Sequence, residues 1–239
     1  MRLGALLLPG DIAEQARRLE GEGFESIWSA QAMGRGFMMP DPFVALSVVA
    51  GVTERVELGT GILQLPLYNA TDIALKALTL KALSNERFLM GLGAGSTESD
   101  YQIHREDFGA RFATFDTRLD QLRATLADGS ANGGNLGASG APPLLFGTWG
   151  KNVARAAGEF DGWIASGMHR TPEQCASALS GYRAAGGARA IVSTIQVRPD
   201  TDLGELGATL TGYAEAGFDD AVVMVVAADM LPAVRALVG

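Results

Sequence analysis

The sequence predicts an α/β fold, a single closed (β/α)8 TIM barrel, from three observations. Short apolar runs alternate eight times with helical segments along the chain. Glycine follows several of those helices, as in EGEGFESIW and AEAGFDDAVV, where a helix must stop before the next strand. The 239 residues, 47% hydrophobic and only 19% charged, suit strands buried on both faces within one domain, 1–239. An open doubly wound sheet usually shows fewer strands.

The first strand is read at Leu3–Leu8 and its helix at Asp11–Glu22. The second strand, Ser26–Ser29, leads through a Gly- and Met-rich loop to a helix at Asp41–Ala50. The third runs Val56–Leu63, with an apolar helix at Thr71–Leu83. That helix is apolar on more than one face, as expected of a layer covered on both sides. The fourth strand, Arg87–Leu92, is followed by a polar loop containing His104 and a helix at Arg111–Ala127. A low-complexity stretch, GSANGGNLGASGAPP, cannot pack a core, so 129–140 reads as a glycine-rich loop. Strand five is Leu144–Phe146 with a helix at Lys151–Glu159, and strand six Trp163–Ala165 with a helix at Pro172–Ala185. Strand seven, Ala190–Val197, precedes a helix at Leu203–Ala216. Strand eight, Ala221–Val226, ends in a helix at Met230–Leu237.

Composition narrows the partners. The 19 basic and 27 acidic residues give a net charge of −8, which opposes nucleic-acid and anionic-membrane binding. The lone Cys175 excludes an intramolecular disulfide, and two histidines, His104 and His169, make no metal cluster. The start, MRLGALLLPGD, reads as a strand and not as a signal peptide. No apolar run approaches the ~20 residues of a membrane span. The expectation is a cytoplasmic protein acting on a small molecule. The apolar third helix and the Met33–Met39 loop suggest a homodimer.

In such barrels the site forms from loops after the strands. Gln31 is the side chain near the end of strand two able both to donate and to accept a hydrogen bond. Gly59 and Gly61 share one face of strand three and leave either a flat notch for a ligand or a packed layer needing small residues. Gly91-Leu92-Gly93-Ala94-Gly95 resembles a dinucleotide glycine loop poorly, because no helix is expected directly after it. Gly147-Thr148-Trp149-Gly150-Lys151 leads straight into a helix, so its amides, with Lys151 and Arg155, could hold a phosphate. His104 is a further candidate for catalysis. Few acid–base groups gather anywhere, which suits a protein whose cofactor carries the hard chemistry.

The segments IWSAQ, VELGTGI, ALKALTLKALSNERFLMGLGAGS, FGARFATFDTRLDQL and PPLLFGTWGKNVARAAGEFDGWI resemble, in this order, the bacterial luciferase-like flavin and deazaflavin oxidoreductases. The similarity covers Met1–Ala165 and is weaker afterwards. It implies the same barrel and a cofactor ring at the carboxyl ends of the strands. Ser29, Thr60, Gly61 and Ile62 would border the ring, over a cis peptide at Gly61-Ile62. Gly93, Ala94 and Gly95 would line the cofactor chain, and Gly147, Thr148, Trp149, Gly150 and Lys151 its phosphate. Many members carry histidines after strand two. Here Trp28 to Gln31 is similar to the Trp-x-x-Gln of deazaflavin-dependent members, which favours coenzyme F-420 (deazaflavin) over FMN. The chain is shorter than typical members. Two functions follow from the resemblance. One is an oxidoreductase using reduced F-420 for hydride transfer, or FMN for monooxygenation, with Gln31 and His104 at the site. The other is a non-catalytic flavin-binding protein on the same barrel.

Overall fold

The computed structural model describes residues 1–34, 36–37, 39–127 and 140–239. Its elements run β1 (Arg2–Leu6), α1 (Ile12–Gly21), β2 (Ser26–Ser29), α2 (Pro42–Val52), β3 (Glu57–Thr60), β4 (Leu63–Gln64), α3 (Ala70–Leu83) and β5 (Phe88–Gly93). Then come α4 (Glu98–His104), α5 (Arg111–Ala127), β6 (Leu144–Gly147), α6 (Asn152–Glu159), β7 (Gly162–Ser166), α7 (Pro172–Ala184), β8 (Arg189–Val197), α8 (Leu203–Ala216), β9 (Asp220–Val225) and α9 (Leu231–Arg235). The glycine-rich stretch 129–139 lies outside the described residues.

The strands lie side by side in the order β3-β2-β1-β9-β8-β7-β6-β5-β4, and β5 also pairs with β3 to close the ring. Every pairing is parallel. β3 and β4 are two halves of one stave, so the barrel has the eight staves expected of a TIM barrel. The single strand expected over Val56–Leu63 is interrupted after Thr60, where the Gly61–Ile62 peptide is cis.

Local chemistry places the helices. Asp11, Asp41, Asn69, Thr171 and Asp202 each accept hydrogen bonds from amides of the first turn that follows them. Thr171 and Gln174 close a reciprocal capping box. The polar segment after β5, expected as loop, contains the short helix α4, and His104 is its last residue.

Two cores result. The outer one lies between the sheet and the helices, and the inner one fills the barrel with Leu6, Trp28, Leu89, Leu145, Ile164, Ile191 and Val222. Trp28 is fully buried and donates its indole N–H to Ser26 Oγ at 2.8 Å. The amino end of the barrel is sealed by charge. Arg189 reaches Glu57 at 2.7 Å and Asp220 at 2.8 Å, and Arg2 reaches Glu57 at 2.8 Å. The Asp220 side chain is fully buried. Burial opposes the charge on Glu57, but hydrogen bonds and charge from Arg189 and Arg2 outweigh it and hold the carboxyl below its ordinary range.

Candidate functional site

With charged groups closing the amino end, the open carboxyl end is where a ligand can enter. There the Gly61–Ile62 peptide is half-buried while Thr60, Leu63 and Gln64 around it are buried. It is gripped from two sides. Gly61 N–H donates to Ser29 O at 2.9 Å, and Gln31 N–H donates to Ile62 O at 3.3 Å. Gln64 N–H donates to Gln31 Oε1 at 2.9 Å. Gln64 Nε2 in turn donates to Asp100 Oδ2 at 2.8 Å, and Met33 N–H donates to Asp100 Oδ1 at 3.1 Å. The loop after β2, the bulge between β3 and β4, and α4 are thereby one hydrogen-bonded unit. Gln31 is 8% exposed, and its carbonyl oxygen serves this unit. The structure places it as a residue that positions the peptide.

The glycines divide into two kinds. A β-carbon on Gly59 would stand 2.3 Å from the Trp28 ring, so this position is a packed layer and not a ligand notch. On Gly93 it would meet Ile62 Cδ1 at 2.4 Å, and on Gly147 it would meet Ile62 Cγ2 at 2.4 Å. On Gly95, whose φ is +74°, it would meet Gln64 Oε1 at 2.0 Å. Gly93, Gly95 and Gly147 therefore make room for side chains of the bulge itself. Gly61 differs, since its nearest neighbours would be Trp28 at 3.3 Å and Ser193 Oγ at 3.7 Å. Thr60 is fully buried and its hydroxyl donates to Gly91 O at 2.8 Å, while Ala94 O accepts from the Tyr101 hydroxyl. Ser29, Thr60, Gln31 and Ala94 thus support the mouth from below.

Across the mouth, β8 is irregular. Its register against β9 shifts between Val192 and Ile195, and Thr194 has φ 63°. Ser193 Oγ and Thr194 Oγ1 lie 3.3 Å apart. Ser166, on the face of β7 that carries Ile164 into the inner core, is half-buried beside them. The far wall, after β2, is apolar, with Ala30 and Met39 against the inner core, while Met224 packs there from β9, next to Gln196 of β8. Sequence reasoning missed Ser193 and Thr194. The available signal was two adjacent hydroxyls inside the apolar run AIVSTIQV.

The expected phosphate corner is only partly as read. Gly150 has φ +65° and open space where a side chain would stand, and Lys151 is exposed with no ion pair among the described residues. Arg155 is spent, because it binds Asp116 at 2.5 Å and Glu159 at 2.9 Å. Arg170, over the Trp149 ring at 4.8 Å, supplies a second cation in its place. Thr148 O accepts from Trp163 Nε1 at 2.9 Å. A groove lined by Trp149, Gly150 and Lys151 continues between α6 and α7 past Gln174 and Ser177.

His104 stands apart from Gln31, with no hydrogen bond between them among the described residues. Its ring lies 6.2 Å from that of Tyr68, and its Nε2 is buried without a partner among the described residues. Burial, then the Asp41 charge, push the Tyr68 hydroxyl up to about 12. Among the described residues no group of His, Cys, Asp and Glu is placed to hold a metal ion. Nor is any of their helices long and apolar enough to cross a membrane.

Comparison with known proteins adds four findings. Residues 7–199 match the family described as luciferase-like monooxygenase. The chain is 34% identical over 88 residues to a 4-hydroxyprotoasukamycin monooxygenase of Streptomyces nodosus subsp. asukaensis, covering 36% of this chain and 24% of that one. It is 29% identical over 123 residues to an F-420-dependent glucose-6-phosphate dehydrogenase of Amycolatopsis mediterranei, covering 49% of this chain and 36% of that one. These matches span well under two thirds of the relatives' length. The fold itself is shared almost end to end with a monooxygenase from Streptomyces bottropensis. That likeness has a TM-score of 0.82 at 16% identity and covers 99% of this chain and 97% of the other.

Proposed function

This chain belongs to the luciferase-like monooxygenase family, and from that premise we propose that it is an oxidoreductase using reduced deazaflavin, coenzyme F-420, for hydride transfer to a small organic molecule. The observation that carries the reading is the half-buried Gly61–Ile62 peptide. It is fixed at the open end of the barrel between an apolar and a polar wall.

The residues present fit such a group. Gly61 and Ile62 offer a bed for a flat ring, and buried Trp28 below them stops it from sinking into the barrel. Lys151 and Arg170, beside the open backbone of Gly150, are suited to a phosphate. The bound cofactor would supply the electrons. The mouth supplies hydroxyls and an apolar wall, which bind and orient but do not themselves exchange electrons. Gln31 acts through the bulge, by holding the backbone of Ile62 and Gln64. The second reading, FMN-dependent monooxygenation, is favoured by the resemblance to the monooxygenase of Streptomyces nodosus.

Titration of the protein with F-420 and with FMN, followed by fluorescence and absorption, tests the reading. Tighter binding of F-420 and turnover of the reduced form support it. Tight FMN binding with oxygen consumption moves the assignment to the second reading. Binding without turnover across electron donors identifies a non-catalytic carrier, and binding of neither overturns all three.

A homodimer is proposed through α2 and α3, which pack side by side and expose Val44, Leu75 and Leu83 at 67%, 57% and 62%. Sedimentation of Val44→Glu with Leu75→Glu should give a monomer where the parent chain gives a dimer.

A further inference from the structure

We propose that Ser193 and Thr194 form the hydrogen-bonding edge of the ring site, binding the polar carbonyl and N–H edge of the planar cofactor that rests on Gly61–Ile62. The inference depends on the reading that this mouth binds such a cofactor.

The irregularity of β8 is what brings the two hydroxyls together. Up to Val192 the strand alternates, with Arg189 in the ionic seal and Ile191 in the inner core, and Ala190 and Val192 in the outer core. Unbroken alternation would turn Thr194 toward the helices and Ile195 into the barrel. Instead Ile195 and Val197 join the outer core, so the bulge at 193–194 has reset the strand by one residue. Gln196 thereby takes the mouth face that Ile195 would have held. One bulge has exchanged an apolar wall for a polar one.

Thr194 holds this arrangement in a left-handed backbone conformation, which a β-branched residue adopts rarely. Glycine would occupy it without penalty. A residue kept there against its preference is a candidate for a side-chain role. The geometry supplies one. Ser193 is 2% exposed, and its Oγ lies 3.7 Å from where a β-carbon on Gly61 would stand, so it borders the ring bed directly. Thr194 is half-buried and reachable. Among the described residues the side-chain hydrogen bond these hydroxyls make is with each other, at 3.3 Å. Each hydroxyl can donate once and accept twice, so the pair keeps both donor and acceptor capacity. An edge of alternating carbonyl and N–H groups matches that capacity, whereas a hydrocarbon edge would leave it buried and unmet.

The test is equilibrium titration of the parent protein, Ser193→Ala, Thr194→Val and Thr194→Ser with F-420 and with FMN. It reads the dissociation constant and the position of the bound cofactor's absorption band. Thr194→Val keeps the branched shape and loses the hydroxyl, and Thr194→Ser keeps the hydroxyl. The expected result is about tenfold weaker binding for Ser193→Ala and Thr194→Val, with the absorption band moved toward that of the free cofactor. Thr194→Ser should stay within about twofold of the parent. Parent-like affinity and spectrum in both deletions, in proteins with unchanged circular dichroism, overturn the proposal while leaving the cofactor reading intact. Equal losses in Thr194→Ser and Thr194→Val assign the effect to packing and also overturn it. A parent protein that binds neither cofactor overturns both readings together.

Discussion

Gly59→Ala decides between a packed layer and a ligand notch, and the structure gives its size. The new methyl would stand 2.3 Å from Trp28 Cε3 and Cζ3, far inside van der Waals contact. The indole has little room to retreat. It is fully buried, its N–H is tied to Ser26, and a β-carbon on Gly4, on its other flank, would already lie 3.0 Å from Nε1. Overpacking at such a site costs about 1–3 kcal/mol, and the rigid surroundings place Gly59→Ala toward the upper end. Trp28→Leu works in the opposite sense, leaving a cavity and an unpaired Ser26 hydroxyl, at about 2–4 kcal/mol. In the double variant the methyl added by Gly59→Ala enters space that the indole has vacated. The combined loss should therefore fall short of the sum by about 1–2 kcal/mol. Urea unfolding followed by circular dichroism, with an unchanged slope across the four proteins, measures each arm of this cycle. Additivity within about 0.5 kcal/mol would refute the packing argument. So would a neutral Gly59→Ala whose only effect is weaker cofactor binding.

Further outcomes are expected at three positions. Arg189→Ala removes the nearer cation of fully buried Asp220 and one of the two cations on Glu57, leaving Arg2 at 2.8 Å from Glu57 and 3.7 Å from Asp220, and should cost about 2–4 kcal/mol of unfolding free energy in urea. The same variant should flatten the acid limb of stability. Glu57 has a depressed carboxyl in the folded chain, so its contribution is complete above the ordinary carboxylate range and is lost as pH falls through the lower folded value. Gln31→Leu strands the buried Gln64 N–H and should lower stability by about 1–3 kcal/mol. Gln31→Glu keeps the acceptor and should lose less, as thermal unfolding of the pair would show. Thr194→Gly relieves the left-handed residue and should gain about 1 kcal/mol in stability while weakening cofactor binding; a loss of stability would contradict the backbone argument.

The barrel was legible because its strands are buried on both faces and its helices are capped by side chains next to them in sequence. Both signals are local. What escaped the sequence depends on who approaches whom. Glycine reports that something comes close but not what, so Gly59 read equally as ligand notch or packed layer, and Gly93, Gly95 and Gly147 read as cofactor lining, whereas their space is filled by Trp28, Ile62 and Gln64. Arg155 read as free charge although Glu159, four residues on, was within reach along the helix; its other partner, Asp116, sits 39 residues away on another helix. Helix α4 has only seven residues and polar composition, too little to show a period, so His104 read as loop. The break between β3 and β4 left no mark in hydrophobicity, since Leu58, Ile62 and Leu63 continue the apolar run across it. The hydroxyls of Ser193 and Thr194 were visible as an anomaly, but a register shift is needed to say which way they face.

That division bears on where the affinity for a cofactor would arise. The chain carries a net charge of −8, which repels an anionic ligand at a distance. Lys151 is exposed, Arg170 is half-buried, and Glu173 lines the same groove as Lys151, so this corner sits in high dielectric. Exposed charge pairs are worth about 0–1 kcal/mol each, and salt screens them within about 8 Å at physiological strength. A phosphate corner of that kind orients a tail but cannot hold a ligand at micromolar affinity, which takes about 8 kcal/mol. The remainder must come from the ring, through apolar burial over Ile62 and hydrogen bonds made where water is excluded. Affinity should then respond weakly to added salt and strongly to Ser193 and Thr194. A binding constant that falls steeply with salt while ignoring those two residues would place the energy at Lys151 and Arg170 instead.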